Sequence, residues 1–189
     1  MSEAVSALQG PEFEGLVTVR EAGLQGMITI RGDLSAAELS VLLRDAAGLD
    51  VPETLKFEAD GERTLAWMAP DEMLLLTGYG EAEDLANALA TELEGTHALI
   101  ANVSDARVMF TLEGPAVREV LAKLTPADVS AAAFSVGTFR RTRLAQVAAA
   151  LWMTDEATAH VVAFRSVAQY VFDLLQTAAR PGSEVAFFR

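Results

Sequence analysis

Arg140, Arg141 and Arg143 put three guanidinium groups within four positions of a 189-residue chain that is otherwise strongly acidic. A guanidinium is always charged and presents a planar fork of donors, so three together repel unless an anion faces them. The chain's own acidic residues, another protein subunit or a phosphate-bearing ligand would each serve, and the sequence leaves all three open. The other residues able to do chemistry are sparse. His97 and His160 are the only histidines. Each sits in a strand-like pattern with no second ligand nearby, so they read as partly buried strand residues rather than metal ligands or bases. Ser104 and Asp105, close to Arg107, have the types of a nucleophile and an orienting acid. No base accompanies them, and Ser-Asp between two strands reads as a turn. Asp71–Glu72 and Asp155–Glu156 have the form of paired acid-base carboxylates, but they occupy what look like matching hairpin turns, where such residues serve the fold. Trp67 and Trp152 each end an alternating apolar run and read as core.

The motif Trp67-Met68-Ala69-Pro70-Asp71-Glu72 returns as Trp152-Met153-Thr154-Asp155-Glu156, an offset of 85 between the tryptophans, and Gly32 returns as Gly114 at an offset of 82. Two long copies of one unit predict a single pseudo-symmetric domain rather than a repeat array. In the first copy Ile28 and Ile30 alternate as a strand. Gly32–Asp33 turns the chain into a helix whose start, Ser35-Ala36-Ala37-Glu38, has the form of a capping box, with Leu39, Leu42, Leu43 and Ala46 on one face and Gly48 as its stop. Residues 49–62 read as a polar surface connection, 64–68 and 72–77 as a hairpin, and Leu85, Leu89 and Leu93 as a helix stripe. A strand over 97–103 leads into the second copy. There Val108, Phe110 and Leu112 share a strand face, Pro115 opens a helix ending at Pro126, and residues 127–143 form a link that closes on the three arginines. Strands over 144–152 and 158–164 form the second hairpin, and Ser166 is placed to cap a last helix. Residues 1–22, mixed in Gly, Pro and Glu, read as an extended or loosely ordered arm. Residues 23–189 form one duplicated domain with halves at about 23–103 and 104–180. Each half is β-α-β-β-α, so the expected class is α+β, two ferredoxin-like halves with helices on one side of antiparallel sheets.

Composition narrows the function classes. Cysteine is absent, which excludes disulfides, thiolate metal sites and a cysteine nucleophile. The formal charge of −13 falls mainly on residues 1–100, with 5 Lys/Arg against 19 Asp/Glu, while residues 101–189 hold 9 against 8. Nucleic-acid binding is therefore not expected. No apolar run approaches the roughly 20 residues that cross a bilayer, and the first fifteen residues lack a basic signal-peptide start, so a cytoplasmic protein without a membrane anchor is expected. Glycine-rich nucleotide loops, Gly-x-Ser-x-Gly and His-Glu-x-x-His are missing, so no catalytic, cofactor or metal residue is assigned. The 51% hydrophobic content beside such acidity suggests that part of the apolar surface is an interface.

Five stretches, taken together, resemble the gamma subunit of heterotetrameric sarcosine oxidase. They are Trp67-Met68-Ala69-Pro70-Asp71-Glu72-Met73-Leu74-Leu75, Val103-Ser104-Asp105-Ala106-Arg107-Val108, Leu112-Glu113-Gly114-Pro115-Ala116, Leu121 through Asp128, and Phe164-Arg165-Ser166-Val167-Ala168-Gln169-Tyr170. The resemblance implies a fold like the folate-binding part of the glycine-cleavage T protein, an aminomethyltransferase. It also implies partnership with alpha, beta and delta subunits in a complex that demethylates sarcosine to glycine and passes the one-carbon unit to tetrahydrofolate. FAD, FMN, NAD, zinc and tetrahydrofolate would then sit on the other subunits, with none on this chain, which would be a non-catalytic structural subunit. The sequence also admits a stand-alone folate-binding one-carbon transferase, or a tandem ferredoxin-like module that senses a metabolite.

Overall fold

A computed structural model describes residues 3–188. The chain divides into two compact units, one continuous over Gln25–Asp105 and one that joins the segment up to Leu24 to everything from Ala106 onward.

In the continuous unit, β3 (Gly26–Arg31), β4 (Phe57–Asp60), β5 (Arg63–Ala69), β6 (Glu72–Thr77) and β7 (Leu99–Asn102) form an antiparallel sheet in the order β4-β5-β6-β3-β7. Helices α1 (Ala37–Ala47) and α2 (Ala82–Glu92) cover one face. Ile28, Ile30, Leu65, Met73 and Leu75 of the sheet meet Leu39 and Leu43 of α1 and Ala86 and Leu89 of α2 in one buried cluster. The spacing of Leu39, Leu43 and Ala47 keeps a single stripe of α1 inward. Gly48, at φ 70°, ends α1 in the left-handed conformation that glycine adopts most readily.

The other unit repeats this plan and adds to it. Its strands are β1 (Glu12–Glu14), β2 (Thr18–Glu21), β8 (Arg107–Glu113), β9 (Phe139–Leu144), β10 (Val147–Met153) and β11 (Thr158–Phe164), in the order β1-β2-β8-β11-β10-β9. Helices α3 (Val117–Ala122) and α4 (Ala168–Ala178) pack Val117, Val120, Leu121, Val171, Phe172 and Leu175 against Phe110, Leu112, Leu151 and Val161. The Phe110 and Phe172 rings lie 6.2 Å apart. Comparing the two sheet orders, β8 corresponds to β3, β11 to β6, β10 to β5 and β9 to β4. The place of β7 is taken by β2, which comes from before the repeat rather than after it.

Residues 12–21 therefore differ from the expected arm: they are two strands of a sheet. Val17 and Val19 are buried in its core, and Thr18 to Glu21 pair with Glu113 to Phe110. Composition hid this, because β2 is short and sits among glycines and glutamates. At Gly15 the segment packs against Ala179, the residue that ends α4. The Leu16 N–H donates to the Ala179 carbonyl at 2.7 Å, and a Cβ at position 15 would lie 2.2 Å from that oxygen. At the other end of β2, the buried Glu21 carboxylate accepts from Ser6 Oγ at 2.9 Å, Leu8 N–H at 3.0 Å and Gly10 N–H at 2.7 Å. One carboxylate thus organises the backbone of residues 6–10. Residues 1 and 2 of the expected arm lie outside the described residues.

Other expectations are corrected locally. The stretches read as connections at 49–62 and 127–143 contain edge strands β4 and the start of β9. Ser35 does not cap α1, whose N-cap is Ala36; Ser35 Oγ instead donates to Asp33 Oδ1 at 2.6 Å in a local turn. Ser166 lies in a 3-10 turn ahead of α4, where no side chain caps the helix.

Replacing Glu21 with Ala leaves the Leu8 and Gly10 N–H groups without their acceptor. We expect a loss of about 1–3 kcal/mol in urea unfolding and faster protease cleavage within residues 3–10, with the Gln25–Asp105 unit unaffected.

Candidate functional site

The arginine cluster lies on β9, at the edge of the six-stranded sheet. An edge strand alternates its side chains like any other, so Arg140 and Thr142 share one face while Phe139, Arg141 and Arg143 share the opposite one. Arg140 is committed to main-chain carbonyls, donating to Ala133 O at 3.0 Å and Phe139 O at 3.1 Å. It ties the preceding loop to the strand. Arg141 and Arg143 are exposed. The three do not converge on one point, because alternation sends the middle one away from Arg140.

On the same face as Arg141, three aromatic rings form a ladder across adjacent strands. Phe139 of β9 lies opposite Trp152 of β10, which lies opposite His160 of β11. Ring centroids are 5.5 Å apart for Phe139 and Trp152 and 5.0 Å for Trp152 and His160, with near-parallel planes. Trp152 is buried, as expected, but not on the face of its counterpart. Leu65 lies opposite Leu75, and Leu151 lies opposite Val161, which places Trp67 in register with Met153. Trp67 accordingly packs with the helix-side cluster, whereas Leu151 and Met153, the neighbours of Trp152, take that side in the second copy. Residues 70 and 71 join β5 to β6, with a bulge between Trp67 and Ala69, and 154–157 join β10 to β11, so the paired residues Leu65–Leu75 and Leu151–Val161 are equally far apart in sequence; the tryptophan stands two positions after Leu65 in one copy but only one after Leu151 in the other. A one-residue shift in strand register moves a side chain to the other face.

The same difference separates the carboxylate pairs. Glu72 is buried on β6 opposite Arg31, whose guanidinium also meets Asp71 at 3.0 Å. Asp155 and Glu156 lie in the longer turn. Asp155 accepts from Ala157 N–H at 2.7 Å, and that backbone bond, followed by Thr158, holds its carboxyl below the ordinary value. Glu156 pairs with Arg118 at 2.9 Å, while Arg118 also donates to Val129 O and Phe134 O. Each carboxylate has a structural partner, and the two pairs do not occupy equivalent positions.

Ser104 is buried, with its hydroxyl accepting from Met27 N–H at 2.9 Å and donating to Asn102 Oδ1 at 2.6 Å. It closes the sheet of its own unit. Asp105 accepts from Tyr79 Oη at 3.0 Å, and Arg107 lies over the Phe164 ring at 4.5 Å. No base stands by the serine hydroxyl in these contacts. His97 is not in a strand. It lies exposed in the bend before β7, beside an open hollow of about 450 Å³ lined also by Arg31, Asp33 and Asp71. Among the described residues no three His, Cys, Asp or Glu side chains are grouped as a metal site. No helix among them is long and apolar enough to cross a membrane.

One group of residues went unnoticed in the sequence. Glu119 of α3 holds the backbone N–H groups of Val185, Ala186 and Phe187. The Val185 bond above all lowers its carboxyl below the ordinary range. The only sequence signal was the Phe187–Phe188 pair after Arg180-Pro181-Gly182, apolar residues with no periodic element to bury them.

His160 lies half-buried between Thr111 Oγ1, 3.3 Å from Nδ1, and Thr154 Oγ1, 3.5 Å from Nε2. Burial pushes it below its ordinary 6.5, against the opposing pull of Glu113 and Asp155. The folded protein thus holds this ring neutral where the unfolded chain protonates it. Its contribution is present above about pH 6.5 and is lost as the pH falls through the lower folded value. Stability measured by denaturant from pH 7.5 to 5 should decline, and His160→Asn should flatten that part of the decline; an unchanged slope refutes the assignment.

The family described as "Sarcosine oxidase, gamma subunit family" matches residues 31–181. A sarcosine oxidase subunit gamma from Arthrobacter sp. is 32% identical over 151 residues, covering 78% of this chain and 72% of that protein. Heterotetrameric sarcosine oxidase from Corynebacterium sp. U-96, solved in complex with pyrrole 2-carboxylate, contains a chain that superposes with a TM-score of 0.79 and 27% identity, over 89% of this chain and 87% of the other. The glycine cleavage system aminomethyltransferase T from Bartonella henselae shares the fold, with a TM-score of 0.60 and 16% identity over 85% of this chain and 45% of its own.

Proposed function

The chain belongs to the sarcosine oxidase gamma subunit family, and from that premise we propose that it is a structural subunit of a heterotetrameric sarcosine oxidase. The observation that carries this reading is the family match over residues 31–181, which spans elements of both units. In this reading the complex oxidatively demethylates sarcosine to glycine, hands the one-carbon unit to tetrahydrofolate and works in the cytoplasm. The chain supplies no catalytic group. FAD, FMN, NAD, zinc and tetrahydrofolate reside on alpha, beta and delta subunits. Two features support a supporting role. Ser104, the two carboxylate pairs and His160 are engaged in turns, ion pairs or strand contacts of this chain. The sequence also lacks cysteine and the glycine-rich loops that hold nucleotide cofactors. Likeness to aminomethyltransferase T is one of fold, and function does not follow from fold.

Within this reading Arg141 and Arg143 are a contact for an acidic segment of another subunit. They are exposed on an edge strand, in the half of the sequence that carries the least acidic excess. A point of positive charge on a protein of net charge −13 directs an acidic partner to one place.

A tag on this chain in its own cells should recover three further chains and a yellow, flavin-bearing assembly that makes peroxide when given sarcosine. A colourless monomer or homodimer refutes the reading. In the recovered complex, Arg141→Glu with Arg143→Glu should weaken assembly by several-fold at low salt and by less at high salt. Equal affinity at both salt concentrations removes the arginines from the interface.

A further inference from the structure

We infer that the segment Ser183–Phe188 is a pre-shaped apolar plug that seats in a pocket of a different subunit of the oxidase. The inference rests on the subunit reading above for the existence of that partner, but on separate observations for the site. The segment lies beyond residue 181, where the family match ends.

Val185, Phe187 and Phe188 are 66%, 74% and 38% exposed, three large apolar side chains within four positions. Water-exposed aromatic residues normally belong to loose chain, but this backbone is held. The Glu119 carboxylate accepts from the N–H groups of Val185, Ala186 and Phe187, with Ala186 in the left-handed conformation at φ 59°. Successive N–H groups turned to one side form a concave cradle for an anion, and here the anion is the chain's own glutamate. Lys123, the C-cap residue of α3, donates to Ala178 O at 2.9 Å and Ser183 Oγ at 3.0 Å, fixing the start of the segment to the end of α4. The two rings then meet edge to face, with centroids 4.9 Å apart. Polar anchors on one side and aromatic groups turned outward on the other describe a hot spot whose ordering cost has been met before binding.

The charges indicate which partner. Glu184 within the segment and Glu156 beside it are exposed, whereas Arg118 and Lys123 are largely buried, and the exposed Arg180 lies three positions before the segment. Two copies meeting through this patch would bring like-charged rims together on proteins that each carry −13. The occupant that fits is a different chain, with an apolar pocket bordered by Lys or Arg.

The test uses the whole oxidase. The dissociation constant of this chain from the other subunits is measured for wild type and for Phe187→Ser with Phe188→Ser, and the melting temperature of each free chain is measured alongside. The expected result is a complex loosened on the order of tenfold or more, with melting unchanged because the rings are exposed. Val185→Asp, an independent variant at the same patch, should loosen it too. Equal affinity of wild type and both variants overturns the inference while leaving the subunit reading intact. A wild-type chain that does not assemble at all defeats the subunit reading, and the inference falls with it. A wild-type homodimer that the double variant splits would replace the proposed partner with a second copy.

Discussion

The pairing of β2 with β8 is the constraint on which the second unit depends. Arg20 stands opposite Thr111, so the pairing closes a loop that encloses the whole first unit in sequence. A closure of that length has a large entropic cost, although the cost grows only slowly with further length. What offsets it is visible at both ends of the strand. Val17 and Val19 enter a core that already holds Phe110, Leu112 and Phe172, Gly15 lets the backbone press on the end of α4, and Glu21 fastens the chain that leads in. Without β2, the edge of β8 that it pairs would be open.

Duplication explains the rest of the architecture, and its departures from symmetry are instructive. The two sheets share four strands in corresponding order, but each borrows its strand beyond β3 or β8 from a different place along the chain. A one-position difference in where the tryptophan stands on its strand is enough to put Trp67 among the helix-side residues of one copy and Trp152 in a ring ladder on the opposite face of the other. The two tryptophans, alike as letters, have become different parts.

What could be read from the sequence was set by burial. The internal strands β3, β5, β6, β8, β10 and β11 carry continuous or alternating apolar residues and were legible, as were the helices with their stripes. The edge strands β4 and β9 and the short β2 were not. Four of the six residues of β9 are polar, and Glu58 and Asp60 of β4 are exposed, so neither displays a hydrophobic period. The candidate site was legible in type but not in arrangement. Three arginines announced an anion, yet strand alternation and the Ala133 carbonyl, contributed by an irregular loop, removed Arg140 from the set. Glu119 was invisible because its partners are backbone groups 66 to 68 positions away, and backbone groups leave no mark on a sequence.

The discontinuity of the second unit also imposes an order on synthesis. A ribosome delivers β2 well before its partner β8 is complete at residue 113. The Gln25–Asp105 unit, contiguous in sequence, has all five of its strands in that interval and can close its sheet while the leading strands wait. Val17 and Val19 are then free apolar residues on a nascent chain, with the glutamates at 12, 14 and 21 as the charged neighbours that keep so short a strand from pairing with the wrong edge.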